Sequence, residues 1–306
     1  MNRVLVVGSS NIDTTLYVEN LPNEGETISA ISKVVSLGGK GLNQAIALKR
    51  ALADVTFLTS LGSDLNGELV KKQLNDENLN AFIIVKENAN TGSAFINVSK
   101  SGNNSIVIDG GSNSLLNVND LKSYKDSFKD FDYLLLQNEI NQEVNEYLIN
   151  TFHALNKKVA LNNSPIRVIN KELLSKIDYL FINEIELDSI YTEINSENNS
   201  LDYKTKAKSL LESGIKNIVL TLGKDGAIFI SKNIEVSVPS IKVNAIDSVG
   251  AGDTFTGYFL SMLSKEKSIK DALTYASVAA GLSVTKKGAI PSIPSFIEVE
   301  KYLISK

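Results

Sequence analysis

The chain contains no cysteine, which removes disulfide cross-links and thiolate nucleophiles from consideration. It contains no tryptophan and one histidine, His153. A Ser-His-Asp triad would have to run through that single ring, and a histidine-rich metal site is excluded. His153 sits in a helical pattern, NEYLINTFHAL, and reads as ordinary helix surface or core. No long basic run occurs and the formal net charge is −4, so charge favours neither nucleic acid nor a membrane surface as partner. No apolar stretch approaches the roughly 18 residues of a membrane span. The opening MNRVLVVGSSNID has a short apolar run ending in Gly8, which reads as a strand and not as a signal peptide. The expectation is a soluble, cytoplasmic protein.

What is present is enough apolar material, 43% of 306 residues, for one large domain or one domain with an appendage. Short apolar runs at 4–8, 55–62, 133–137, 158–162, 177–183 and 217–223 read as buried strands. Amphipathic segments at 41–52, 66–76 and 202–213 read as helices between them. Strand–helix alternation predicts an α/β fold with a mostly parallel sheet covered on both faces. Residues 12–36 and 92–109 break the rhythm: they alternate apolar and polar around turn signals, and predict antiparallel strands in a small β appendage with one wet face.

Five stretches offer chemistry. In DSVGAGDTFTGYFLSML (247–263), helical spacing of Phe255, Phe259 and Met262 starts a helix near Ala251. Its first amides are free for an anion, and Gly250 and Gly252 let a phosphate reach bare backbone. Asp253 in that first turn either takes a proton from an attacking hydroxyl or merely complements the helix dipole. GGKGLNQA (38–45) opens another helix and offers Lys40 and Asn43; it does not have Walker A spacing, and a tight turn with a solvated lysine is the alternative. In GSSNID (8–13), Asn11 and Asp13 fall on one face of an extended chain, where they grip sugar hydroxyls or form an Asx turn. In NEIE (183–186), Asn183 and Glu186 either orient waters on magnesium or form a capping box. In TLGKDG (221–226), Thr221 and Gly223 follow a strand, where nucleotides bind in such sheets, or the stretch is simply a hairpin.

Taken in order, these blocks, with LPNEGET (21–27) and KKGAIPSIP (286–294), resemble the ribokinase family of ATP-dependent sugar kinases, the phosphofructokinase B family, from end to end. The resemblance implies a three-layer α/β/α sandwich with a β lid that closes over the sugar and mediates a homodimer. It implies ATP-dependent phosphorylation of the O5 hydroxyl of D-ribose, with deoxyribose, fructose or a nucleoside as alternative acceptors. A catalytically silent sugar sensor on the same scaffold is the rival from another class. Asp253 matches the family's catalytic base, and Gly250, Ala251 and Gly252 match its anion hole. Asn11, Asp13, Gly39, Lys40, Asn43 and Glu139 match sugar-binding positions. Asn183, Glu186, Thr221, Gly223 and Gly226 match the nucleotide and Mg2+ side. Asp247, Val249, Ser283, Lys286, Gly288 and Ser292 fall where an activating K+ binds. Leu42 stands where alanine is frequent, which would reshape the sugar pocket, and Ser277 stands where some members carry an adenine-side histidine.

Overall fold

A computed structural model describes residues 2–195 and 201–305. Among them the strands, in chain order, are β1 Arg3–Val7, β2 Asn11–Val18, β3 Ser32–Gly38, β4 Asp54–Gly62, β5 Asn80–Lys86, β6 Gly92–Ser99, β7 Asn104–Asp109, β8 Tyr133–Leu136, β9 Lys158–Asn162, β10 Tyr179–Asn183, β11 Asn217–Thr221, β12 Ala227–Ser231 and β13 Glu235–Val238.

The larger sheet runs β13-β12-β11-β10-β9-β8-β1-β4-β5. Its strands pair in parallel from β11 through to β5, while β12 and β13 are antiparallel additions at one edge. The central strands are apolar on both faces because both are covered. In β1, Val4 and Val6 enter one core while Leu5 and Val7 enter the other, all fully buried. The first core is closed by the helices Lys40–Arg50, Ala251–Ser264 and Ile269–Ser283, and the second by Gln142–Ala154 and Tyr203–Glu212. The result is a three-layer α/β/α arrangement. Leu42 is fully buried in the first core. Its side chain therefore packs into the helix–sheet interface. No helix among the described residues is long and apolar enough to cross a membrane.

The second sheet has the order β3-β2-β6-β7. The β2–β3 and β6–β7 pairs are antiparallel hairpins, but β2 and β6 run parallel to each other, which corrects the expectation of antiparallel pairing throughout. The reason lies in the main sheet. The strands β1 and β5 point the same way, and β2 and β6 follow them directly, so they leave the edge of the main sheet in the same direction.

Candidate active site

Five parallel strands, β1, β8, β9, β10 and β11, end at one edge of the main sheet. The chain leaving each end supplies a polar group: Ser9 and Asn11 after β1, Glu139 after β8, Asn162 at the end of β9, Asn183 at the end of β10 and Thr221 at the end of β11. Carboxyl ends of strands are where open α/β sheets bind ligands. Two helices open at the same place, Lys40–Arg50 and Ala251–Ser264. A cavity of about 220 Å³ lies here, lined among others by Lys40, Asn162, Asn183, Glu186, Thr221, Ser248, Gly250, Gly252 and Asp253.

The opening of the Ala251–Ser264 helix is bare. Gly250, at φ 75°, occupies the cap position and provides no side chain to cap it. The Ala251 amide donates to the Ser248 carbonyl at 3.2 Å, so it is already engaged in a turn. The amides of Gly252 and Asp253 have no acceptor among the described residues, and a Cβ placed on Gly252 would meet nothing within 4 Å. The positive end of the helix therefore faces open space.

Asp253 is 6% exposed, and its two carboxylate oxygens are held separately. Asn43 donates to Oδ2 at 3.0 Å and Gln44 donates to Oδ1 at 2.8 Å. Asn43 Oδ1 and Asn162 Oδ1 are buried with no partner among the described residues. Unpaired buried acceptors are costly, and a bound hydroxyl or water would satisfy them.

Three carboxylates gather around one amine. The Lys40 amide donates to Glu139 Oε2 at 2.9 Å, and Ser9 donates its hydroxyl to the same oxygen. Burial alone would lower the Lys40 ammonium, but Asp253, Glu139 and Glu186 outweigh it and hold Lys40 above its usual value. Asp13 is pushed up to about 7, chiefly by burial and then by repulsion from Glu139 and Asp253. Asn11 is 4% exposed, and its Oδ1 accepts from Asn113 at 2.8 Å, which leaves its amino group for another acceptor. Gly39, at φ 92°, turns the chain into the Lys40 helix.

Asn183 and Glu186 form the reciprocal pair of a capping box: the Asn183 amide donates to Glu186 Oε2 and the Glu186 amide to Asn183 Oδ1, both at 2.8 Å. Both residues also line the cavity. The box thus fixes a carboxylate at the cavity wall. Gly223 lies in the exposed turn Gly223–Asp225 that joins β11 to the antiparallel β12. Gly226 is held away from the cavity: at φ 104°, with a Cβ position 2.1 Å from the Val238 carbonyl, its glycine is explained by the close approach of β13.

Asp247 lies before the helix and ties two segments together, accepting from the Val249 amide at 3.0 Å and the Gly288 amide at 2.8 Å. The Lys286 amide donates to the Ser283 carbonyl at 3.1 Å, and the Ser292 hydroxyl to the Ala289 carbonyl at 2.7 Å. The Lys286 ammonium is turned to Glu298 at 2.9 Å. Ser277 is buried with its hydroxyl unpartnered among the described residues.

Sequence reasoning passed over Gln44, Ser9, Asn162 and Thr256. Gln44 stands in the same GGKGLNQA block as Asn43, but only the fold shows that both side chains reach one carboxylate. Thr256 donates to the Gly252 carbonyl at 2.9 Å and accepts from Asn162 at 3.3 Å, a bond across 94 residues that no local pattern records.

A family model described as pfkB family carbohydrate kinase matches residues 1–295. The chain is 36% identical to a ribokinase of Dictyostelium discoideum over 97% of its own length and 99% of that protein. It is similar to the crystal structure of a ribokinase from Thermotoga maritima, with a TM-score of 0.91 and 35% identity over 99% of this chain and all of the other. It is also similar to the Arabidopsis thaliana ribokinase complexed with ribose and ATP, with a TM-score of 0.89 and 30% identity over 99% and 98% of the two chains. With the family matched over nearly its whole length and the ribokinase fold reproduced, the chain belongs to the pfkB family of carbohydrate kinases.

Proposed function

We propose that this protein transfers the γ-phosphoryl group of ATP to the O5 hydroxyl of D-ribose, giving D-ribose 5-phosphate and ADP. The observation that carries the reading is the position of Asp253. It is a buried carboxylate in the first turn of a helix whose Gly252 and Asp253 amides are unpaired, at the wall of a cavity. A proton acceptor beside a bare anion site is what in-line phosphoryl transfer to an alcohol needs.

Asn11, Asp13, Gly39, Lys40, Asn43 and Glu139 hold the sugar. The unpartnered Asn43 Oδ1 suits a hydroxyl donor, and Asp13 and Glu139 are acceptors for others. Asp253 takes the proton of the O5 hydroxyl as the O5–phosphorus bond forms and the bond from phosphorus to the ADP oxygen breaks. The open helix end, at Gly250, Ala251 and Gly252, and the Lys40 ammonium stabilise the charge on the transferring group. Because the Ala251 amide is engaged with Ser248, the Gly252 and Asp253 amides carry most of that task. Asn183, Glu186, Thr221, Gly223 and Gly226 form the nucleotide side; of these, Gly226 acts by shaping the turn between β11 and β12.

Among the described residues no group of three or more acidic or histidine side chains converges as a metal cage. Mg2+ keeps most of its waters in kinase sites and needs few protein ligands, and the Glu186 carboxylate fixed at the cavity wall fits that role. Bound there with ATP, Mg2+ would neutralise phosphate charge. An activating K+ would be held at Asp247, Val249, Ser283, Lys286, Gly288 and Ser292, mainly through backbone carbonyls, and would steady the loop that leads into the Ala251 helix.

The small sheet is the lid. Register places Asp13, Ala94 and Ile108 in one cross-strand row, and Val35, Thr14, Phe95 and Val107 in the next, on the opposite face. That opposite face leaves Phe95 51% and Val107 63% exposed, with β7 an open edge. Apolar edges of this kind seek a partner, and a second copy meeting it lid to lid would give a homodimer. A cytoplasmic setting, where ATP is available, goes with this chemistry.

The test is a panel of D-ribose, deoxyribose, fructose and nucleosides with ATP, scored for ADP release, with the ribose product identified by its phosphate position. D-Ribose giving the highest kcat/KM and a 5-phosphate is the expected result. Preference for another acceptor would reassign the substrate, and no ADP release with any acceptor would overturn the reading.

A further inference from the structure

Behind the Asp253 carboxylate lies a line of side-chain amides that touches no ligand-accessible surface. Gln44 Nε2 donates to Asp253 Oδ1 at 2.8 Å, and Gln137 Nε2 donates to Gln44 Oε1 at 2.7 Å. Both glutamines are fully buried. A carboxylate only accepts, so Gln44 must present its amino end to Asp253. A lone glutamine amide can flip end for end, and a flipped Gln44 would set its carbonyl against the carboxylate. The donor from Gln137 occupies the Gln44 carbonyl and makes the flipped arrangement one of paired acceptors facing each other and donors left unmatched.

The line stops at Gln137, and it stops badly. Gln137 Oε1 is buried with no partner among the described residues. A network selected for stability alone would avoid this, because an unsatisfied buried acceptor costs more than a hydrogen bond gains. Gly8 leaves room beside that oxygen: a Cβ there would lie 2.1 Å from Gln137 Oε1 and 2.8 Å from the Gly41 Cα, so the same glycine also admits the Lys40–Arg50 helix. A local cost kept beside a reactive group is a sign of function.

We infer that Gln137 and Gln44 are positioning residues that lock the Asp253 carboxylate in the single orientation in which it receives the acceptor's proton. The inference rests on the reading of Asp253 as the base, and neither glutamine touches the reacting atoms. Gln137 sets which end of Gln44 faces forward. Gln44, with Asn43 on the other oxygen, then holds the carboxylate against rotation, so that its proton-accepting lone pair stays aligned with the hydroxyl. Small misplacements of a catalytic group cost disproportionately in rate, up to about 10²-fold for ~1 Å.

The test is Gln137→Met, which keeps the side-chain length and removes both the donor and the unpaired carbonyl, alongside Gln137→Glu, whose carboxylate cannot donate to Gln44. Steady-state kinetics, calorimetric binding of ribose and thermal unfolding are measured for each. The expected result is a kcat lowered roughly 5–50-fold in both variants, on the scale of a misaligned catalytic group. KM and the ribose dissociation constant stay within about twofold, and the unfolding midpoint of Gln137→Met stays near wild type, since the unpaired Gln137 carbonyl is lost while Gln44 Oε1 loses its donor. A merely structural role predicts the reverse, a lowered midpoint with kcat per folded molecule intact. That result, or wild-type kcat in both variants, overturns the inference. Asp253→Asn is assayed in parallel. If it retains turnover, the reading of the base has failed; if it is inactive while both Gln137 variants turn over normally, the positioning inference alone has failed.

Discussion

Gly257 and Ala47 meet where the two helices that open at the site cross: a Cβ on Gly257 would lie 2.5 Å from the Ala47 Cβ, 2.9 Å from the Gln44 carbonyl and 3.0 Å from the Leu48 amide. Backbone atoms cannot swing aside as a flexible side chain can. The absent side chain at 257 therefore sets how closely the Lys40–Arg50 helix approaches the Ala251–Ser264 helix, and through it whether Asn43 and Gln44 reach Asp253. Gly257→Val should lower stability by about 1–3 kcal/mol through overpacking. It should also lower kcat more than ribose affinity, because the helix starts are forced apart. Thermal unfolding and steady-state kinetics check both parts.

Asp13 predicts a pH dependence with a definite sign. Burial first, and then Glu139 and Asp253, raise its folded-state value from 3.8 to about 7. Between those values the native protein keeps a proton that the unfolded chain has lost. The native state therefore binds more protons there, and the contribution of Asp13 to stability falls as pH rises through that window. Asp13→Asn removes the dependence. Unfolding midpoints of the ligand-free protein across this range should decline more steeply for wild type than for the variant; parallel curves would contradict the assignment.

Lys40 holds the carboxylate cluster together, since burial alone would lower its ammonium and Asp253, Glu139 and Glu186 together raise it. Lys40→Met leaves those carboxylates to repel one another without a counter-charge. Loss of one partner of a buried ionic group is strongly destabilising, about 3–5 kcal/mol. In catalysis, losing a cation that stabilises charge on the transferring group should lower kcat/KM for ribose by roughly 10²-fold or more, as measured by coupled ADP release.

The outer row of the small sheet makes a prediction about assembly. Phe95 pairs with Thr14 on one side and Val107 on the other, on the face away from Asp13. Phe95→Asp puts a charge into that row, where burial against a second lid would be unfavourable. Analytical ultracentrifugation at micromolar concentration should show a dimer for wild type and a monomer for the variant. A wild-type monomer at all concentrations would remove the lid-to-lid assembly.

Six strands of the main sheet, β1, β4 and β8 to β11, were legible because each is a short apolar run with a glycine or asparagine near its end; β5, β12 and β13 lay outside those runs. The helix start at Ala251 was legible from the spacing of Phe255 and Phe259. The relations between distant segments were not. Nothing local says that β2 pairs in parallel with β6, because that follows from where β1 and β5 lie in the main sheet. Leu42 belongs to the core because of the face on which the helix meets the sheet, which a motif comparison does not carry. Gln44 gains its role from an aspartate 209 positions away and a glutamine 93 positions away. NEIE was ambiguous in sequence for a sound reason: the same two side chains cap a helix and line the cavity.

Proton acceptance by Asp253 is tested most directly by rapid-quench single-turnover kinetics on Asp253→Asn, with ribose and ATP binding measured separately. The amide keeps the size of the side chain but cannot take the proton. Phosphoryl transfer should slow by about 10²–10⁴-fold with both substrates still bound near wild-type affinity. Transfer within a few-fold of wild type would contradict it.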